Sequence, residues 1–166
     1  MSDDAGIEAK VAAALEGLGA TWELIRIDPG FADTAAFCEK YGVPLDHSGN
    51  TIIVASKKEP KKFCACLVLA TSRLDVNHTV RRLMDVSRVS FATADETKEL
   101  TGMMIGGVTL FALPETLPIY VDEPLTALDY VILGGGSRSL KIKTAPEMFT
   151  CIPGARVVAG LSIDAS

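Results

Sequence analysis

Gly102, Gly106 and Gly107 fall within six residues, and the β-forming pair Val108–Thr109 follows them directly. Glycine at that density costs backbone entropy, so it marks positive φ or a close approach of the main chain to something else. Peptide N–H groups presented by such a turn beside a strand can hold a carbonyl oxygen or an anion. A β-bulge and turn without a ligand is the alternative. Two other turns have a similar character. His47-Ser48-Gly49-Asn50 is polar and leads straight into the apolar run Thr51–Ala55, and Gly134-Gly135-Gly136-Ser137 follows the run Tyr130–Leu133. Sites gather at strand ends of this kind. Asn50, Gly106–Thr109 and Gly134–Ser137 are therefore expected to converge on one cleft, although they are distant in sequence.

Other chemistries find no pattern. Ser48 lies beside His47, but neighbours in a turn point in different directions, and no G-x-S-x-G elbow is present. The run GGGSRS lacks the G-x-G-x-x-G fingerprint, and nothing matches a phosphate-binding loop. Cys38, Cys64, Cys66 and Cys151 make no metal-site spacing with one another or with His47 and His78. No metal and no organic cofactor is expected, and the cysteines read as buried thiols in a reducing cytosol, with Cys64 and Cys66 on one face of a strand.

Strands and helices must position these turns. Thr51–Ala55 and Phe63–Ala70 face each other across SKKEPKK (56–62), and Phe63–Ala70, apolar on both faces, belongs at the centre of a sheet. The runs 51–55, 63–70, 108–113, 117–121 and 130–133 are expected in one sheet. Gly6–Leu18 places Ile7, Val11, Ala14, Leu15 and Leu18 on one helical stripe, with Gly19 as its stop and Met1–Ala5 as a frayed polar terminus. Further helices are expected over Thr34–Tyr41 (N-capped by Asp33, ended by Gly42), over Val76–Met84 after Asp75, and from Thr93 or Asp95 to Leu100. Shorter elements are strands at Thr21–Ile27, Val89–Ala92 and Ser139–Lys143, a helical turn at Pro146–Cys151 and a last strand or edge at Val157–Leu161. No repeat, linker or low-complexity segment interrupts them. The fold class is α/β: one domain over residues 1–166, with a central mixed, partly curled β-sheet and flanking helices.

The 166 residues are 48% hydrophobic and 22% charged, which suits a compact globular chain rather than a disordered one. A net charge of −5 argues against an overall electrostatic grip on nucleic acid, although Lys57-Lys58 and Lys61-Lys62 could form a local patch; a solvated turn is the plainer reading. No apolar stretch approaches the roughly 20 residues of a membrane span, and Met1–Gly6 does not read as a signal peptide.

The stretch Leu100–Glu123 resembles the signature of the YbaK/prolyl-tRNA synthetase editing-domain family, L-T-G-x-x-x-G-G-V followed by a strand and V-D-E. Leu100-Thr101-Gly102, Gly106-Gly107-Val108-Thr109 and Val121-Asp122-Glu123 stand at the matching spacing. Val89–Thr101 is similar to the family's strand and acidic helix, and Gly134–Leu140 resembles its second glycine turn, G-x-R-x-L. The resemblance covers about Thr21 to Ala145 and departs in three places. Leu110 replaces the family's loop proline, Asn50 stands where a lysine is thought to hold the aminoacyl ester, and Lys141 stands where many relatives carry an acidic residue.

What the resemblance implies is a freestanding protein that hydrolyses the ester of a mischarged aminoacyl-tRNA in the cytoplasm, without a cofactor. The acceptor end of the tRNA would be its partner, and an aminoacyl-tRNA synthetase a second one. Asn50 and Lys141 take the catalytic positions, and Thr51, Gly106, Gly107, Val108, Thr109, Gly135 and Ser137 take substrate-binding ones. Main-chain N–H groups would polarise the carbonyl while a water attacks. Asn50 can orient a carbonyl or ribose but carries no charge; it could equally just close its turn. Strand alternation sets Ser139, Lys141 and Lys143 opposite Leu140 and Ile142. That face is either solvated or shares a pocket with position 50, which would make the lysine lost there and the one gained at 141 a compensating pair. A binding module that retains an aminoacyl-adenosine-like ligand without turnover is the alternative, and an ester hydrolase acting outside tRNA is a third.

Overall fold

The computed structural model describes residues 4–19 and 21–164. The first helix, α1 (Asp4–Glu16), begins two residues before the expected Gly6 and so includes part of the terminus expected to fray; Met1–Asp3 lie outside the described residues. Its stripe is seen as expected, with Ile7, Val11 and Leu15 buried. After β1 (Trp22–Arg26) comes α2 (Thr34–Tyr41), which Gly42 ends at φ 68°. Asp33 holds the N-cap position, but its carboxylate makes no capping hydrogen bond.

A five-stranded mixed sheet organises the fold. It is built from β2 (Gly49–Ser56), β3 (Phe63–Leu69), β5 (Val89–Phe91), β6 (Ile119–Asp122) and β9 (Ala155–Val158), in the spatial order β5-β2-β3-β6-β9. The first three pair antiparallel, and β3-β6-β9 run parallel. Strand β3 is central and buried on both faces, as its sequence requires. Alternation divides the two faces. Ile53, Ala65 and Leu67 join the larger core with α1, whereas Val54, Cys64, Cys66 and Val68 join Leu74, Val80 and Met84 on the other side. Cys64 and Cys66 do share a face, with their sulfurs 3.7 Å apart. The hydrogen bond with Cys64, together with burial, holds the Cys66 thiol well above its ordinary range. Cys38 is buried too, but Cys151, on the last helical turn, is exposed rather than buried as expected.

Helix α4 (Ala94–Thr101) follows β5. It starts at Thr93 with a reciprocal cap, the Thr93 hydroxyl accepting from Glu96 N–H and the Glu96 carboxylate accepting from Thr93 N–H. The segment after Asp75 is one irregular helix, a π-turn over Val76–Val80 running into α3 (Arg81–Met84). Two strands were not expected: β4 (Ser72–Leu74) pairs with β10 (Ser162–Asp164). Helix α5 (Met148–Cys151) forms the expected late turn.

Two expectations about the sheet are corrected. Val108–Leu113 is not a strand. Val108, Thr109, Leu110 and Phe111 are all buried, and Ala112 has φ 65°, so the run is a core-filling loop rather than an alternating ladder. A short, wholly apolar run does not reveal its backbone geometry. The 130–133 run also leaves the main sheet. It forms β7 (Val131–Gly134), which joins β8 (Leu140–Thr144) and β1 in a three-stranded antiparallel sheet; an isolated bridge pairs Ile132 with Ser48, and Val131, Leu133 and Ile142 pack into the same core as Ile53 and Leu67 of the larger sheet.

The two glycine turns lock these sheets together by main-chain contact. Gly136 N–H donates to Gly107 O at 2.7 Å, while Gly135 N–H closes its own turn on Leu140 O at 2.9 Å. A Cβ on Gly107 would stand 2.6 Å from the Ser137 carbonyl carbon, and one on Gly134 would stand 2.4 Å from Val108 O. Gly107→Ala and Gly134→Ala should each lower the unfolding free energy by about 2 kcal/mol or more, because backbone cannot yield as a side-chain tip can. Gly6→Ala, where nothing lies within 4 Å of the added methyl, should be neutral or stabilising by up to about 1 kcal/mol. Urea titrations of the three variants check this contrast.

Candidate active site

A cleft of about 480 Å³ opens where the two sheets meet beneath α2. Asn50, Thr51 and Ile52 of β2 line one wall, Gly106 and Val108 another, and Gly134 and Lys141 the floor between β7 and β8. Phe91 of β5, 58% exposed, and the exposed Ile105 stand at its mouth. Asn50, Gly106, Val108 and Gly134 thus meet from turns that lie far apart in the chain.

Asn50 is oriented by α2: its Oδ1 accepts a 2.5 Å hydrogen bond from the Thr34 hydroxyl. That contact directs the two amide N–H donors away from Thr34. Lys141 is only 5% exposed. Its ammonium donates to Ala32 O at 2.7 Å and lies 5.1 Å from the centre of the Phe37 ring. The solvated-face reading of Lys141 is therefore wrong. Alternation does set it opposite Leu140 and Ile142, but α2, with Phe37 and Cys38, covers that second face as well. Among the described residues, no carboxylate comes within ion-pair distance of the ammonium.

Residues 28–150 match the aminoacyl-tRNA editing domain family. The chain belongs to that family. Solved structures agree on the fold. The crystal structure of the hypothetical protein APE2540 superposes with a TM-score of 0.80 at 28% identity, over 92% of this chain and 99% of that one. A candidate trans-editing enzyme for prolyl-tRNA synthetase superposes with a TM-score of 0.79 at 24% identity, over 96% and 97% of the two chains.

Within the editing domain, four of the expected residues stand back from the cleft. Gly107 N–H already donates to Met104 O, and Gly107 itself packs on Ser137. Thr109 is fully buried, and its N–H faces the Met103 sulfur at 3.5 Å. Gly135 packs on Leu140, and the Ser137 hydroxyl donates to Glu8 at 2.6 Å. Of the four amides expected to polarise a carbonyl, Gly106 and Val108 are the two whose residues line the cleft. Leu110, in place of the family's proline, is simply core.

Three residues escaped sequence reasoning. Arg138, the arginine of the second glycine turn, donates to Ile105 O at 2.8 Å and Pro29 O at 3.3 Å, clamping the two loops at the mouth. Glu8 joins Arg26 to Ser137, and these bonds, Arg26 first, hold its carboxyl below the usual range against the opposing effect of burial. Thr34 orients Asn50. The arginine's place in G-x-R-x-L was the available signal, as was the Thr34-Ala35 start of the second helix, which resembles the family's order of elements; Glu8 left none, since it looks like an ordinary helix residue. His47 is a strut, its two ring nitrogens at 2.9 Å from Asp46 and 3.0 Å from Asp129, with its ring stacked on Tyr130. Ser48 donates instead to Pro44 O.

Burial pushes the Lys141 pKa down to about 8, against smaller opposing effects from Cys38 and Asp33. The folded state therefore binds less proton than the unfolded chain between about pH 8 and the ordinary lysine value of about 10.4. Stability should rise with pH across that window. Comparing wild type with Lys141→Met cancels the other titrating groups. The wild type should gain roughly 2–3 kcal/mol relative to the variant between pH 7 and pH 10, measured by urea unfolding at both values.

Proposed function

We propose that this protein is a freestanding aminoacyl-tRNA deacylase, its chain forming one editing domain that acts on the acceptor end of a mischarged tRNA. The observation that carries the reading is the buried ammonium of Lys141 on the same cleft as Asn50. Lost at one wall, the positive charge enters from another. Buried as it is, and with no carboxylate within ion-pair distance among the described residues, this ammonium is strongly placed to stabilise negative charge as it develops.

The step needs no covalent intermediate. A water adds to the ester carbonyl, and the tetrahedral oxyanion is held by Lys141 and the Gly106 and Val108 main chain. The carbon–oxygen bond to the ribose then breaks, and the leaving oxygen takes the proton that the water gives up. The products are the free amino acid and a tRNA with its terminal hydroxyl restored. Asn50, held by Thr34, orients the carbonyl or the ribose. The apolar part of the cleft, Ile52, Ile53 and Ala92, receives the amino-acid side chain, and such walls discriminate a methylene by about 1–3 kcal/mol. This is the physical reason a second sieve is useful. The like-folded candidate trans-editing enzyme makes the proline-specific tRNA carrying a wrong amino acid the first substrate to test, and prolyl-tRNA synthetase the first partner.

A panel of mischarged tRNAs, with a no-protein control, tests the assignment. Wild type should accelerate deacylation of at least one of them. Asn50→Ala should slow it by about tenfold, the loss of one neutral orienting hydrogen bond. Asn50→Lys should preserve or raise the rate. Lys141→Met should cost about 100-fold or more, as for removal of an oxyanion donor. The rate should also fall above pH about 8 as the ammonium loses its proton. If no tRNA is deacylated while an aminoacyl-adenosine analogue raises the melting temperature, the cleft retains its ligand rather than turning it over.

A further inference from the structure

We infer that a second groove, on the far side of Phe91 from the cleft, binds the phosphate backbone of the RNA strand that carries the aminoacyl ester. The inference rests on the deacylase reading for the identity of that strand.

Phe91 ends the edge strand β5 and lines both cavities, the cleft and a groove of about 500 Å³ bounded by Arg73, Asn77, His78, Ser90 and Ile163. The two cavities therefore adjoin at a largely exposed aromatic ring. Beyond the ring, Arg73 lines the groove, and further arginines stand on the segments that flank it. Arg73, Arg82 and Arg88 are exposed, and His78 has 77% of its side chain in solvent. Lys57 N–H donates to Arg88 O at 3.0 Å, so the lysine-rich hairpin begins beside the same edge.

The local charge opposes that of the whole chain. Residues 72–88 carry Arg73, Arg81, Arg82 and Arg88 against Asp75 and Asp85, whereas the chain as a whole is −5. Asp75 is already engaged, its carboxylate accepting from His78 and from the Thr79 hydroxyl at 3.0 Å each. Among the described residues, none of the four arginines is within ion-pair distance of a carboxylate. The Nε groups of Arg81 and Arg82 face main-chain carbonyls of the helix, which leaves terminal guanidinium donors available.

A polyanion with stackable bases is the ligand that this combination fits. Single-stranded nucleic acid binds by cationic contacts to phosphates and by base stacking on exposed aromatic rings. A terminal nucleotide whose ester lies in the cleft would pass its base over Phe91 and its phosphates along Arg73 and Arg88. The lysine hairpin, read from sequence as a solvated turn, then lies at the far end of that track, with Lys61 held back by its 2.7 Å ion pair to Glu96.

The test is fluorescence anisotropy with an uncharged, labelled RNA hairpin ending in a single-stranded CCA 3′ overhang, titrated at several salt concentrations. It requires no turnover. Arg73→Gln/Arg88→Gln should weaken binding about tenfold at low salt and reduce the slope of log affinity against log salt by roughly 1.5. Phe91→Ala should weaken it about tenfold with the slope unchanged, the signature of lost stacking. Lys10→Gln, on the exposed face of α1, should change little, and removing the overhang should abolish most of the affinity. Wild-type affinity in the double arginine variant, equal binding of a blunt hairpin, or no binding by wild type each overturns the groove assignment. A wild type that binds the overhang through these residues but deacylates nothing leaves the groove in place and removes the deacylase. Deacylation with binding indifferent to Arg73, Arg88 and Phe91 does the reverse.

Discussion

Two glycine turns pressed together main chain to main chain are the constraint on which the rest of this structure depends. Gly107 against Ser137 and Gly134 against Val108 leave no volume for a Cβ, and the 2.7 Å hydrogen bond from Gly136 to Gly107 draws the loop before β6 onto the turn between β7 and β8. The loop could not otherwise bury four consecutive side chains, because buried main-chain polar groups need partners and no neighbouring strand supplies a ladder for it. The same contact brings the Gly106–Val108 wall to the Lys141 wall. Closeness of backbone therefore creates the cleft, and the side chains only furnish it.

Lys141 is the other expensive feature. An ammonium excluded from water, with a carbonyl and an aromatic face as its contacts, is held at a cost in stability that a leucine would not incur. Such a group persists where packing over-determines it, and here α2 closes over it through Phe37. Thr34 at the start of the same helix orients Asn50, so one element sets both polar groups of the cleft. Movement of α2 would disturb them together.

Charge follows the same economy of position. Acidic residues outnumber basic ones in the chain, yet the edge at β5 and the helix after Asp75 present arginines, and the Asp75 carboxylate is hydrogen-bonded in place to His78 and Thr79. An edge strand ordinarily needs protection against pairing, and cationic neighbours also provide that. Phe91 is the exception on this edge, exposed where an apolar ring gains nothing from solvent.

Much of the fold could be read from local pattern. The stripe of α1, the stop at Gly42, the cap at Thr93, the hairpin of β2 and β3 and the central place of β3 follow from interactions within a few residues, or from burial on both faces. The meeting of the Asn50, Gly106 and Gly134 turns was legible too, from their polar and glycine-rich character, although Gly106 opens a loop rather than a strand and Gly134 ends a strand of the second sheet. Tertiary structure alone decided the rest. The Val108–Leu113 run has the composition of a strand, and only the glycine contact and the positive φ at Ala112 make it a loop. Strand alternation gave Lys141 its face but could not say what covers that face, since Phe37 lies about a hundred residues away and reaches it only through packing. The arginine track and its junction at Phe91 were likewise hidden. Arg73 and Phe91 become neighbours of one groove, with Arg88 just ahead of β5, only when β4, β5 and the helix between them fold back on the sheet. Local periodicity specifies which way a side chain points; what it meets is set by contacts between segments that no local pattern encodes.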